Sequence, residues 1–209
     1  MDGVICHTNP YHAEAFRQFF DKRSIPYTDQ EFIDHMYGKH NSYIMKYFLK
    51  RELSDQEVKV LEDEKESLFR SIYTDVVDPI PGFLSFLSNL KGAGYKTGVA
   101  TSAPYLNLEL ILNKLSFASR MESILSSEDV DRHKPHPEVY LKSAQKLAVP
   151  PAQCIVFEDS FSGVTAAINA GMKVVGVLSS HAKEELPPCD YYIQDYGDID
   201  VETVSRLIA

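Results

Sequence analysis

Short, nearly continuous apolar runs alternate with helical segments through most of the second half of the chain. The runs lie at residues 97–100, 155–157 and 174–177, and predicted helices at 82–91 and 104–115 and around 166–168 separate or flank them. Strands that are buried on both faces have this continuous apolar character, and strands that alternate with helices pair in parallel. The pattern therefore predicts an α/β fold with a doubly wound parallel sheet.

Residues 10–78 have a different pattern, with helical periodicity and no predicted strand. Asn9-Pro10 resembles an N-cap followed by a first-turn proline, and Thr28/Glu31 and Ser54/Glu57 are capping-box pairs. In the helix after Ser54 we expect an apolar stripe and a solvent-facing charged run at 62–66; the stripe consists of Val58, Leu61, Leu68 and Ile72. We therefore expect an α/β core domain of residues 1–9 and 79–209, interrupted by a helical domain of residues 10–78.

Charge and cysteine content restrict the partners and the compartment. The formal net charge is −9 and no basic block occurs, so nucleic acid and anionic membranes are poor partners. The three cysteines, Cys6, Cys154 and Cys189, have no metal-ligand spacing, and reduced thiols fit a cytoplasmic protein. No apolar run approaches the ~20 residues of a membrane span. We expect a cytoplasmic monomer that acts on a small molecule.

Residues suited to phosphoryl chemistry follow the predicted strands or begin the chain. They are Asp2, Thr101 with Ser102, Lys134, and Glu158 with Asp159. Ligands of open α/β sheets bind at the carboxyl ends of the strands, so these side chains are expected to converge. Each segment alone has an ordinary explanation, such as a turn, a helix cap or a surface loop. Their joint occurrence in this order is poorly explained by chance.

The chemical properties of these side chains indicate a magnesium-dependent reaction of a phosphate ester. Glu158 and Asp159 are oxygen ligands of the kind that Mg²⁺ prefers. Thr101 and Lys134 can donate to a transferring phosphoryl group, whose oxygens carry the charge. Asp2 can exchange a proton with a leaving oxygen.

In order, the four segments resemble the four motifs of the haloacid dehalogenase superfamily, and the helical domain resembles the cap of its subgroup of β-phosphoglucomutase and sugar-phosphate phosphatases. The resemblance implies Mg²⁺ as cofactor and an aspartyl-phosphate intermediate. Asp2 would be the general acid and base, and its backbone carbonyl would join Glu158 and Asp159 around the metal. Thr101 and Lys134 would hold the phosphoryl group.

Further roles come from the same resemblance. His12 matches a histidine at the cap hinge that assists the acid/base residue in the mutases, although a histidine at a domain boundary needs no such role. The cap residues expected to touch substrate are Lys39, His40 and Asn41, and Ser102 is a further substrate contact.

The start of the chain departs from the family pattern. That pattern is Asp-x-Asp-Gly-Val, and Met1 stands at x, so the nucleophilic Asp and the strand leading to it would precede Met1. We expect the first core strand to be missing from these 209 residues. A start codon assigned inside the motif explains this departure simply.

Three functions remain open. The favoured one is a phosphatase of small phosphorylated metabolites, such as sugar or polyol phosphates. The second is a β-phosphoglucomutase-like mutase, which must also grip a distal phosphate; at the matching positions this chain has Asn41 and Ala103-Pro104-Tyr105. The third is a catalytically inactive binding protein that descends from the enzyme, which the absence of the nucleophile would suggest.

Overall fold

The computed structural model describes residues 1–36 and 41–208, and the chain divides into two compact units. One unit contains residues 1–7 and 77–209, and the other contains residues 8–76. The boundaries derived from the sequence, 9/10 and 78/79, each lie two residues from these. The predicted end of a helix at Gly38 lies outside the described residues.

The unit of residues 8–76 is helical in its described part. Its helices are α1 (Asn9–Asp21), α2 (Asp29–Met36), α3 (Asn41–Leu49) and α4 (Asp55–Tyr73). Both predicted capping boxes are present, since Ser54 and Glu57 exchange hydrogen bonds, as do Thr28 and Glu31. Asn9 is not an N-cap but the first residue of α1, and Thr8 precedes it without capping through its side chain.

Aromatic side chains form much of the core of this unit. Phe16, Phe19, Phe20 and Phe32 are buried, and Phe20 lies 4.6 Å from Phe48 between ring centroids. The prediction that residues 62–66 form a solvated face is wrong for two of them: the side chains of Lys65 and Glu66 are only 2% and 5% exposed. The buried face of α4 is therefore rotated from the predicted stripe, and its buried residues are Val58, Lys65, Glu66, Phe69 and Tyr73.

The second unit alternates helices and strands. Its elements are α5 (Phe83–Gly92), β1 (Gly98–Ala100), α6 (Tyr105–Leu115), β2 (Ser123–Leu125), α7 (Glu138–Leu147), β3 (Ile155–Glu158), α8 (Phe161–Asn169), β4 (Lys173–Val177), β5 (Tyr191–Ile193) and α9 (Val201–Leu207). Every pairing of these strands is parallel, so the predicted α/β class is confirmed. The sequence did not predict β2 or β5.

The strands form two separate sheets within the described residues. One has the order β1-β2 and the other β3-β4-β5. Between them lies a cavity of ≈ 450 Å³, lined by β1 and β3 and by apolar residues of α5, including Phe86 and Leu90. The amide of Thr101 donates to Leu125 on the β2 side of the first sheet. Because strand residues alternate in direction, the backbone groups of Gly98 and Ala100 point toward the cavity.

Along the described part of the chain, no helix has both the length and the apolar character that crossing a bilayer requires.

Candidate active site

The first six residues of the chain form a tight loop that places Asp2 beside Asp159. The carbonyl oxygen of Met1 accepts from the amide of Ile5 at 2.7 Å, and the amide of Gly3 donates to Cys6 at 2.9 Å. Gly3 has φ +60°, and a Cβ there would lie 1.9 Å from Oδ2 of Asp159. Only glycine allows this loop to approach the carboxylate so closely.

Lys134 lies at the carboxyl ends of β1 and β3. Its Nζ donates to the carbonyl oxygen of Ala100 at 3.2 Å and to Oε1 of Glu158 at 2.6 Å. It also lies 4.7 Å from the ring centroid of Tyr140. Its side chain is 8% exposed, so the ammonium is held in a defined position beside the residues that follow both strands.

Glu158 is surrounded by donors. Oε1 accepts from Lys134 and from the hydroxyl of Tyr140 at 2.5 Å, and Oε2 accepts from the amide of Asp159 and the hydroxyl of Ser160 at 3.1 Å. Burial acts to raise the pKa of Glu158, but the charges of Lys134 and of the Met1 amino group, with the hydrogen bonds from Lys134 and Tyr140, lower it to about 2. The carboxylate is ionised and its oxygens are engaged by protein donors.

In Asp159 the effects that raise the pKa outweigh those that lower it. Burial and the charge of Glu158 raise its pKa to about 6, against the lowering effect of a hydrogen bond from Ser180, and the charge of Asp2 contributes a further increase. Ionised Asp159 therefore lies in a buried position near other carboxylates, where a cation would relieve the repulsion.

Thr101 and Ser102 follow β1 directly. Thr101 is buried, and its hydroxyl accepts from the amide of Ala103 at 3.1 Å, while Ser102 is exposed. The structure thus brings Asp2, Thr101, Lys134, Glu158 and Asp159 together in one unit, at the carboxyl ends of two strands.

These residues fit Mg²⁺ in part. The carboxylate of Asp159 and the backbone carbonyl of Asp2 are oxygen ligands, and Mg²⁺ commonly binds one or two carboxylates with phosphate and water. The oxygens of Glu158 already accept four hydrogen bonds, so a role through water suits it better than direct ligation. Among the described residues, no group of three His, Cys, Asp or Glu is already arranged to hold a metal ion.

The helical unit contains a second cluster of predicted site residues. Nζ of Lys65 lies 2.8 Å from Nδ1 of His12 and 2.8 Å from Oε1 of Glu66, and Asn41 donates to the same Oε1 at 2.9 Å. Since an ammonium only donates, Nδ1 of His12 is the acceptor and Nε2 of the neutral ring carries the proton. The predicted substrate contacts Lys39 and His40 lie outside the described residues.

Three residues that contact the site were not predicted from the sequence. Tyr140 bonds to Glu158 from α7, and Ser180 bonds to Asp159 from the loop after β4. Gly163 packs against Glu158, since a Cβ there would lie 2.1 Å from the carboxyl carbon. The sequence contains a signal for Gly163 alone, in the spacing Glu158-Asp159-Ser160-x-x-Gly163. The contacts of Tyr140 and Ser180 depend on the tertiary fold.

The chain is similar to known proteins of one family. The family model described as haloacid dehalogenase-like hydrolase matches residues 1–177. The chain is 30% identical to the fructose-1-phosphate phosphatase YqaB of Escherichia coli strain K12 over 177 residues, which are 85% of this chain and 93% of that protein. It is 28% identical to the β-phosphoglucomutase of Bacillus subtilis strain 168, over 97% of this chain and 90% of that one.

The fold also matches a solved structure. The crystal structure of a HAD hydrolase of family IA, variant 3, from Entamoeba histolytica has a TM-score of 0.93 and 27% identity, with 100% of this chain and 96% of that chain covered. The chain belongs to the haloacid dehalogenase-like hydrolases and is an enzyme of their phosphatase and phosphomutase group.

Proposed function

We propose that the protein is a magnesium-dependent phosphatase of small sugar or polyol phosphates that forms an aspartyl-phosphate. The observation that carries the proposal is the grouping of Lys134, Thr101, Asp159 and Asp2 at the ends of β1 and β3. The named activity of the Escherichia coli relative, on fructose 1-phosphate, supports a sugar phosphate as substrate.

Each side chain has a part in the proposed reaction. Lys134 and the hydroxyl of Thr101 hold the phosphoryl oxygens. The Asp159 carboxylate and the backbone carbonyl of Asp2 would hold Mg²⁺, which would supply positive charge against the phosphate, and the side chain of Asp2 stays available for proton transfer. The nucleophile we propose is an Asp joined to the amino side of Met1. Its carboxylate attacks phosphorus as the bond to the sugar oxygen breaks, and Asp2 protonates that oxygen. Water then attacks phosphorus, gives its proton to Asp2 and restores the Asp.

Hydrolysis is favoured over mutase chemistry by the surroundings of two matching positions. The amide nitrogen of Asn41 donates to Glu66 within the helical unit. At the other position, the carboxylate of Glu128 accepts from the amide of Tyr105 at 3.0 Å and so occupies the start of α6. A carboxylate at a helix N-terminus competes with any phosphate there.

The test compares two extended forms of the chain. Both carry an apolar strand before Met1, and the last added residue is Asp in one form and Asn in the other. We expect the Asp form to release phosphate from fructose 1-phosphate or a related sugar phosphate only with Mg²⁺, and the Asn form to be inactive. Formation of glucose 6-phosphate from β-glucose 1-phosphate, with a trace of the bisphosphate and at a rate equal to the best hydrolysis, would favour the mutase.

Substitutions in the Asp form test the individual residues. Asp159→Ala and Lys134→Ala should each abolish most turnover, and Lys134→Arg should not restore it, because a planar guanidinium does not replace a compact ammonium. Lys142→Ala is the matched control, since Lys142 lies on α7, is 43% exposed and bonds to Glu138 and to the backbone oxygen of Asp129, outside the cluster. Binding of phosphate and Mg²⁺ without turnover by the Asp form would indicate a binding protein.

A further inference from the structure

Three consecutive residues after β4 contact the segments that carry Asp2 and Asp159. The hydroxyl of Ser179 donates to the carbonyl oxygen of Gly3. The side chain of Ser180 hydrogen-bonds to the Asp159 carboxylate, and Nδ1 of His181 lies 2.9 Å from the backbone oxygen of Asp159. Residues 179–181, the β4 loop, thus join two sequence segments that are about 155 residues apart.

The direction of each bond is set by its partner. A carbonyl oxygen only accepts, so His181 donates from Nδ1. Ionised Asp159 also only accepts, so the hydroxyl of Ser180 donates to it. The β4 loop therefore supplies donors to both the side chain and the backbone of Asp159, and this leaves the carboxylate little freedom to turn.

Close packing reinforces these bonds. A Cβ at Gly3 would lie 2.6 Å from the hydroxyl oxygen of Ser180 and 1.9 Å from Oδ2 of Asp159. Gly3, Ser180 and Asp159 therefore meet at one point. A loop that only connected β4 to the next element would require none of these three contacts.

We infer that Ser180 is a positioning residue for Asp159 as a magnesium ligand, and that Ser179 and His181 fix the loop that carries it. The inference rests on the proposed function, because it assumes that Asp159 binds Mg²⁺. Hydrogen-bonded partners of metal ligands orient those ligands, and their loss typically weakens metal binding about 10–100-fold.

The test is calorimetric titration of the 209-residue protein with Mg²⁺ at pH 7.5, which requires no turnover. We expect Ser180→Ala to weaken Mg²⁺ binding at least about tenfold. Ser205→Ala is the matched control. The hydroxyl of Ser205, in α9, bonds to the hydroxyl of Tyr95 and to the backbone oxygen of Val201, so this variant should bind Mg²⁺ as tightly as the unsubstituted protein. His181→Ala should have an intermediate effect, and His181→Asn should restore affinity because its amide can donate from nearly the same place.

A second measurement separates this inference from the proposed function. In metal-free crystals, we expect the Asp159 carboxylate to adopt one rotamer in the unsubstituted protein and more than one in Ser180→Ala. If the unsubstituted protein binds no Mg²⁺, the magnesium part of the proposed function is wrong. If Ser180→Ala binds Mg²⁺ normally, or leaves Asp159 in its original position in the crystal, the positioning role is wrong.

Discussion

The ionised carboxylate of Asp159 destabilises the folded state. Its pKa of about 6 lies above its ordinary value of 3.8, chiefly because of burial and then because of Glu158. A carboxyl group whose pKa is raised by folding binds its proton more tightly in the folded state. Above pH 6 the folded protein therefore holds an ionised carboxylate at a cost, and below about pH 4 the group is protonated in both states and the cost is absent.

We predict that Asp159→Asn stabilises the metal-free protein at pH 8 and not at pH 4. The raised pKa corresponds to about 2–3 kcal/mol, or roughly 5–10 °C in Tm for a chain of this size. Thermal unfolding of both proteins in chelator, at several pH values, measures the difference. A difference in Tm that is independent of pH would contradict the burial of an ionised carboxylate.

The sequence identified the residues of this cluster that follow strands or lie in the four motifs, and it missed Tyr140 and Ser180. Thr101 and Asp159 were predicted because a strand end places the next side chains at the sheet edge. Tyr140 projects from the first turn of α7 and Ser180 from a loop after β4, and nothing local distinguishes them from other exposed or core residues. Their contacts exist only because the tertiary fold brings distant segments together.

At the scale of elements, α4 contains one exposed and one buried lysine, and the two differ in their contribution to the free energy of unfolding. Lys59 pairs with Asp63 on the surface, where its side chain is 72% exposed. Lys65 is buried, bonds to Glu66 and His12, and lies 4.5 Å from the ring centroid of Phe16. Surface ion pairs contribute little, whereas removal of one partner leaves a buried charge uncompensated.

We predict that Lys65→Ala lowers the free energy of unfolding by about 3 kcal/mol, because Glu66 then loses its charged partner. Lys59→Ala is the matched control and should cost under about 0.5 kcal/mol. Urea unfolding of the three proteins measures both values. Similar losses for the two variants would mean that Lys65 and Glu66 are as well solvated as the sequence had predicted.

Strand prediction succeeded where apolar runs were continuous and failed for two short strands. β2 consists of Ser123, Ile124 and Leu125, and β5 contains two tyrosines, so neither shows a clear apolar run. Each is defined by pairing with a neighbour already in place: β2 pairs with β1 and β5 with β4. Tertiary pairing, which local sequence does not encode, determines strands of this length.

The unpaired sides of β1 and β3 lead to a prediction about the space between the two sheets. We expect an added strand of five apolar residues before Met1 to fill this space and pair with both sheets, since each buried apolar side chain contributes roughly 1.5–3 kcal/mol. The residue directly before Met1 is Asn and not the proposed nucleophilic Asp, so the measured Tm does not depend on catalytic activity. The expected increase in Tm is at least about 10 °C.

Hydrogen exchange provides the residue-level check. In the extended protein we expect slower exchange at the amides of Gly98 and Ala100, since they point toward the added strand. By the same alternation along β3, we expect slower exchange at the amides of Ile155 and Phe157. The control is an extension of equal length with proline at its second and fourth positions, which cannot donate there. Equal protection in both extended proteins would exclude strand pairing.

For the molecule as a whole, composition bounded the function more firmly than it bounded the structure. A net charge of −9 argues against nucleic acid, and the comparisons place the chain among enzymes of phosphate esters. Composition does not distinguish a phosphatase from a mutase. That choice depends on individual donors, such as Asn41 and the segment before α6, and on what those donors already bind.

The cavity of ≈ 450 Å³ between the two sheets also has a mechanical consequence. Empty space inside a folded protein disappears on unfolding, so the unfolded chain with its water occupies less volume, and hydrostatic pressure favours it. We predict a volume change of unfolding near the upper end of the usual range, about −100 mL/mol, and a smaller one when an added strand fills the cavity. Because the chain has 12 tyrosines and no tryptophan, tyrosine fluorescence under pressure is the suitable measurement. Equal volume changes for the two forms would show that the added strand does not fill the cavity, whereas a large reduction would show that much of the volume lost on unfolding comes from the space between β1 and β3.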